Sequence, residues 1–381
     1  MANQNQSRSQ PVLPAKRKYA SRQSLPFQAW MIQKKRKQRN EVVEVIDPLQ
    51  ALIASLYGSN EQGGLYVPKP VVDGTQALFQ DAAGTTAVTA DGEPVGLMLD
   101  QSPNSVDASQ STAAAKPAYK VTPDRLLLDI VDDSLTITVP TGGWTGTMVL
   151  ATDQGTASYG VSIPAGAYGL GGKYFPGTAI VGALFRDGAM TAGEKAEAES
   201  YFVDNGATAS YGAVSGFSRF WQGRTEITEF PVIDVTGSNT LSNAFLGCSS
   251  ITSFPVIDTS GIGTFSYTWF DCSSITSFPL LDYSSGSLFS NTWRNCTSLT
   301  SFPANSFDNI SGGNFSSAFQ NTALDETSID GILVSLVTSG LSAGFLNFKQ
   351  SGGSAPSVGT GQPAIDTLRG RGWTVVVTGL Y

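Results

Sequence analysis

The sequence predicts a mainly β chain with short helices: an extended N-terminal arm, a small antiparallel β domain, and a C-terminal solenoid of 24-residue coils. Three observations carry that prediction. The near-identical stretches ITEFPVID, ITSFPVID, ITSFPLLD and LTSFPANS begin at Ile227, Ile251, Ile275 and Leu299, 24 residues apart each time. A period in the low twenties marks coils that cannot bury their apolar faces until a neighbour stacks on them. Upstream, strand-like alternation recurs with Gly and Pro at the breaks. Charged residues make up only 14% of the chain against 41 glycines, which favours strands and turns over long charged helices.

The arm comes first. Residues 1–40 hold ten Lys/Arg and no acid, whereas the remaining 341 hold 13 Lys/Arg against 31 Asp/Glu. Two basic clusters, Lys16-Arg17-Lys18 and Lys34-Lys35-Arg36-Lys37, flank the apolar groups Leu25, Phe27, Trp30 and Ile32. A basic arm on an acidic body reads as a docking segment. A disordered tail, an arm that orders against a partner, and a nucleic-acid contact are the three readings; the apolar interleaving favours the second.

A short helix follows. Asp47 suits the N-cap, Pro48 the first helical position, and Leu49, Leu52, Ile53 and Leu56 one face, with Gly58 expected to close it in a left-handed conformation. The arm and this helix make up residues 1–62. Residues 63–118 read as short hairpins (ALFQD, TTAVTAD, PVGLMLD) and then, from 102, a Ser/Ala/Pro-rich linker. Residues 119–215 read as an antiparallel β domain with strands LLLDIV, SLTITVP, GTMVLATD, SYGVSIP and AIVGALFRD. Its terminal helix opens on a Thr191–Glu194 capping box and can end at Gly206. The repeats occupy 216–346, and 347–381 reads as a terminal cap with a helix near Ile365 and Leu368 and a last strand.

Four columns run through the repeats. The aromatics Trp221, Phe245, Trp269 and Trp293, continued by Phe319, read as a core spine. Cys248, Cys272 and Cys296 read as buried thiols whose parallel Cβ vectors do not suit a disulfide. Prolines recur at Pro231, Pro255, Pro279 and Pro303. Asp234, Asp258 and Asp282, continued by Asp308, suit turn formation or calcium, turns being the better explanation. The residue after each spine aromatic varies freely (Leu246, Phe270, Arg294, Gln320), which points to an outward row; Phe270, Arg294 and Gln320 are the candidate contact residues.

Enzyme chemistry finds little purchase. Histidine is absent, which removes Ser/His/Asp and Cys/His nucleophile systems and imidazole metal ligands. AYGLGGKY at Ala167–Tyr174 lacks the first Gly and the final Ser/Thr of a phosphate loop. No cofactor is expected. No apolar run reaches 18 residues, so no membrane insertion is expected either. Residues 225–322 carry seven acids and one base, Arg294, which does not suit nucleic acid.

The units CSSITSFPVID and CSSITSFPLLD resemble BspA-like leucine-rich repeats, over roughly residues 218–325. The stretches LFQDAAGTTAVTADGEPVGLMLDQS, RDGAMTAGEKAEAESYFVDNGA and GWTVVVTG resemble structural proteins of tailed bacteriophages and prophages. The resemblance implies a leucine-rich-repeat-like solenoid in a virion component of tail-fibre or appendage type, assembled in the host cytoplasm and without catalytic residues. Lys16, Arg17, Lys18, Phe27, Trp30, Lys34, Lys35, Arg36 and Lys37 would then anchor it to other virion proteins. A homo-oligomer displaying the repeats to a host-surface glycan or protein follows as the expected arrangement. A head-decoration or collar protein, a cellular adhesin and a polysaccharide depolymerase are the alternatives, in that order. The fourth coil departs from the repeat pattern, with Thr322 in the cysteine position after a two-residue slip.

Overall fold

Apolar residues at alternate positions require two buried faces, and the strand Trp144–Thr152 has both: Met148 and Leu150 enter one core, Val149 and Ala151 another. In the computed structural model, which describes residues 46–129, 132–171, 179–209, 217–349 and 353–377, the chain is mainly β with four short α-helices and several antiparallel sheets. The arm residues named above lie outside the described residues.

A seven-stranded antiparallel sheet is ordered Ile227–Glu229, Thr156–Ile163, Trp144–Thr152, Ala179–Asp187, Arg125–Leu127, Ala118–Lys120, with Gly63–Tyr66 also paired to Ala179–Asp187. A five-stranded antiparallel sheet runs Gly166–Gly171, Ser134–Val139, Ala108–Ser109, Leu97–Met98, Leu78–Phe79. The sheets share one core, joined by Tyr168 edge-on to Phe185 at 5.5 Å. On the other face of the larger sheet lie helices Pro48–Tyr57 and Ala192–Asp204, which bury Leu49, Leu52, Leu56, Tyr201 and Phe202 against Val149, Val181 and Leu184. Gly182 permits this contact, since a Cβ there would stand 2.1 Å from the Phe202 ring.

The expected helix caps are present. Asp47 accepts from Leu49 N, and the Thr191–Glu194 box is reciprocal. Three expectations are corrected. Gly58 is right-handed (φ −68°); the left-handed residue beyond the helix is Asn60 (φ 69°). Residues 102–118 contribute Ala108–Ser109 to the middle of the smaller sheet, because main-chain pairing there needs no apolar side chains. Gly166–Gly171, set aside at sequence level as a failed phosphate loop, is an edge strand paired to Ser134–Val139 through six residue pairs.

The repeats begin on the edge of the larger sheet. Ile227 pairs with Val161 and Glu229 with Gly160. At this junction Tyr168 Oη donates to Glu226 Oε1 (3.0 Å) and accepts from Arg224 Nη2 (2.7 Å), while Arg224 Nε pairs with Glu226. Each ion therefore has a partner within the buried set. From there, residues 24 apart bond to each other: Leu241 N to Thr264 O (3.0 Å) and Phe265 N to Leu288 O (2.8 Å). Parallel bridges continue through Thr240, Thr264, Leu288 and Asn314. The ladder passes into a parallel sheet of Asn314–Phe315, Phe345–Phe348 and Thr374–Val377, with helices Glu326–Thr338 and Gly361–Gly370 as its connections.

Candidate recognition surface

Ring stacking organises the interior of the repeats and so sets which residues face out. Trp221, Phe245, Trp269, Trp293, Phe319 and Phe348 form one buried stack with successive centroids 5.2, 6.0, 5.7, 4.8 and 5.2 Å apart. Phe230, Phe254, Phe278 and Phe302 form a second, edge-on to the first. The spine is thus core and not a sugar platform.

Beside it the thiols are buried, and each donates to a carbonyl one coil back: Cys248 Sγ to Trp221 O (3.0 Å), Cys272 Sγ to Phe245 O and Cys296 Sγ to Trp269 O (both 3.1 Å). Burial pushes the Cys248 thiol up to about 12 and raises Cys272 and Cys296 as well. These are poor nucleophiles. Thr322, in the slipped coil, bonds instead to Phe319 O of its own turn (2.9 Å).

The aspartate row forms turns. Asp234 Oδ1 accepts from Thr236 N (2.9 Å), Asp258 Oδ1 from Ser260 N (3.0 Å) and Asp282 Oδ1 from Ser284 N (2.8 Å). Those bonds hold the Asp234 and Asp258 carboxyls below their ordinary range. Asp308 leaves the pattern and accepts from Ser335 Oγ (2.6 Å), because the slip brings it under helix Glu326–Thr338. Among the described residues, acidic oxygens converge within 4.8 Å at Asp129, Asp132 and Asp133, not along this row.

The proposed contact row is aligned by main-chain bonds. Gly247 N donates to Phe270 O (2.8 Å), Asp271 N to Arg294 O (3.0 Å) and Asn295 N to Gln320 O (2.9 Å). Phe270, Arg294 and Gln320 are each half-buried rather than fully outward, because they lie against their neighbours in the row. The Arg294 guanidinium carbon sits 5.8 Å from the Phe270 ring centre, and Arg294 Nη1 donates to Asn291 Oδ1 (3.1 Å).

Two residues or sets escaped the sequence reading. Tyr267 packs its ring 5.5 Å from that of Phe270 and completes an aromatic–guanidinium cluster. Its backbone is left-handed (φ 58°), as in Asn243 (60°) and Asn291 (58°), 24 residues to either side. Comparing those three positions was the available signal. The second set is an exposed apolar row, Val232 (75%), Val256 (66%) and Leu280 (56%), one step beyond the proline column. The outward alternation of these residues with Asp234, Asp258 and Asp282 could have been read from period two.

No protein-family model, curated protein or solved structure matches the chain.

Proposed function

We propose that the chain is a non-enzymatic virion component whose repeats, a leucine-rich-repeat-like solenoid of 24-residue coils, display a contact surface to a host cell. The recurring main-chain bonds and bridges at 24-residue spacing support the solenoid reading. The arm, with its ten positive charges, anchors the protein to its particle. Many copies on one particle make even a weak site effective through avidity.

One observation carries the adhesion reading. Tyr267, Phe270 and Arg294 form a partly open aromatic–guanidinium cluster on a rigid ladder, with Tyr267 held in a backbone region that side-chain-bearing residues avoid. Strain kept at a surface residue points to function, and aromatic and Arg groups dominate contact energies.

Replacing Phe270 and Arg294 together by Ala is expected to reduce particle adsorption about tenfold or more. The melting temperature should hardly change, and immunoblotting should still detect the protein on purified particles. Unaltered adsorption by particles that carry the double variant would remove the adhesion role. Absence of the wild-type protein from purified particles would remove the virion reading itself.

A further inference from the structure

The regular coils stack without gaps, and the regularity fails at one place. Bridged positions are 24 residues apart from Thr240 to Thr264 to Leu288, then 26 to Asn314 and 31 to Phe345. At this irregularity an open cleft of about 540 Å³ lies on the ladder face, lined by Ser287, Gly313, Asn314, Ser316, Gly344 and Phe345 among others. Two glycines shape it over the buried Trp373. A Cβ on Gly313 would stand 2.8 Å from the indole, and one on Gly344 only 2.3 Å.

The lining has a consistent chemistry. Phe345 is 38% exposed and presents its ring outward, while Leu346 and Phe348 of the same strand turn into the core. Asn314 Oδ1 accepts from Ser290 Oγ (3.1 Å) and Ser316 N (3.2 Å), which orients the amide. Its Nδ2 has no acceptor among the described residues, nor does Ser316 Oγ have a partner there. An oriented amide donor and a free hydroxyl thus stand beside one aromatic face. No Asp, Glu, Lys or Arg lines the cleft. A charged ligand would find nothing to neutralise it, and a purely apolar one would strip water from the amide without replacing its bonds.

We propose that this cleft binds a neutral saccharide, with the apolar face of one sugar ring against Phe345 and its hydroxyls on Asn314 and Ser316. The size lies within the range of small-molecule sites. This site is separate from the Tyr267–Phe270–Arg294 cluster and deepens the adhesion reading, on which it rests only for the biological source of the sugar.

The test uses the purified full chain in saturation-transfer NMR with lactose, maltose, cellobiose and chitobiose, and sialyllactose as the acidic control. At least one neutral disaccharide should receive transfer at its ring C–H protons. Phe345→Leu should weaken that binding about tenfold or more, Asn314→Ala should weaken it, and Phe345→Trp should retain it. Should Phe345→Leu fail to fold, Ser316→Tyr fills the cleft from its rim and should abolish transfer. Transfer to none of the neutral sugars, to sialyllactose alone, or undiminished in a folded Phe345→Leu or Ser316→Tyr variant would overturn the proposal. None of these outcomes bears on particle adsorption by the Phe270/Arg294 double variant, so the two readings fail separately.

Discussion

Tyr267 adopts φ 58° where its counterparts are Asn243 and Asn291. For an L-residue with a bulky side chain this region costs roughly 1–2 kcal/mol more than the right-handed one, and Asn tolerates it because its short polar side chain bonds locally. The ring is 38% exposed and contributes little to the core. Tyr267→Asn is therefore expected to stabilise the fold by about 1 kcal/mol, read as a rise in the urea midpoint at constant slope. The same variant should adsorb less well, since Phe270 and Arg294 lose their aromatic neighbour. A midpoint that falls would mean that the ring contributes more packing than its exposure indicates.

At the scale of the element, a column of like groups multiplies a small property of one residue. Each thiol of Cys248, Cys272 and Cys296 is buried and ionises above its ordinary value near 9. The unfolded chain loses those protons first. The thiols' contribution is then fully present below about pH 9 and declines as pH rises toward the folded value, about 12 for Cys248. Each thiol should withdraw about 1.4 kcal/mol per pH unit within that window. Urea midpoints measured between pH 9 and 10, before most tyrosines ionise, should fall steeply in the wild type. In the triple variant Cys248→Ala, Cys272→Ala, Cys296→Ala the slope should flatten. An identical slope in both proteins would place the pH sensitivity elsewhere. Rapid labelling of the native thiols would contradict their burial.

Across the whole molecule, one core runs without a break from Leu135 and Met148 between the sheets, through Trp221, to Trp373 near the last strand. Repeat arrays often lose cooperativity because each unit touches only its neighbours. Here the first coil is hydrogen-bonded to the sheet edge through Ile227 and Glu229 and fixed by the Tyr168–Arg224–Glu226 network. Residues 45–381 also form one compact unit. Thermal unfolding is accordingly expected as a single transition, with calorimetric and van't Hoff enthalpies in agreement. Near-UV circular dichroism of the tryptophan stack should change at the same temperature as the far-UV signal. Two resolved transitions would show that the repeats and the sheets fold independently.

Short-range and periodic features were legible in the sequence. The 24-residue period anticipated both the Trp221–Phe319 stack and the Cys248–Cys296 column, because identical coils repeat their contacts. The Asp47 and Thr191 caps were readable because a cap bonds residues only two or three positions away. What the tertiary structure decided involves partners distant in sequence. Ala108–Ser109 and Gly166–Gly171 are strands because Ser134–Val139 lies between them, and main-chain pairing leaves little trace in side-chain composition. Asp308 turns toward Ser335 because a slip of two residues moves it under a helix, and the cleft beside Phe345 exists because the same slip interrupts the stack. Period and local hydrogen bonding are properties of a segment; a gap between segments is not, and becomes visible only once they are packed.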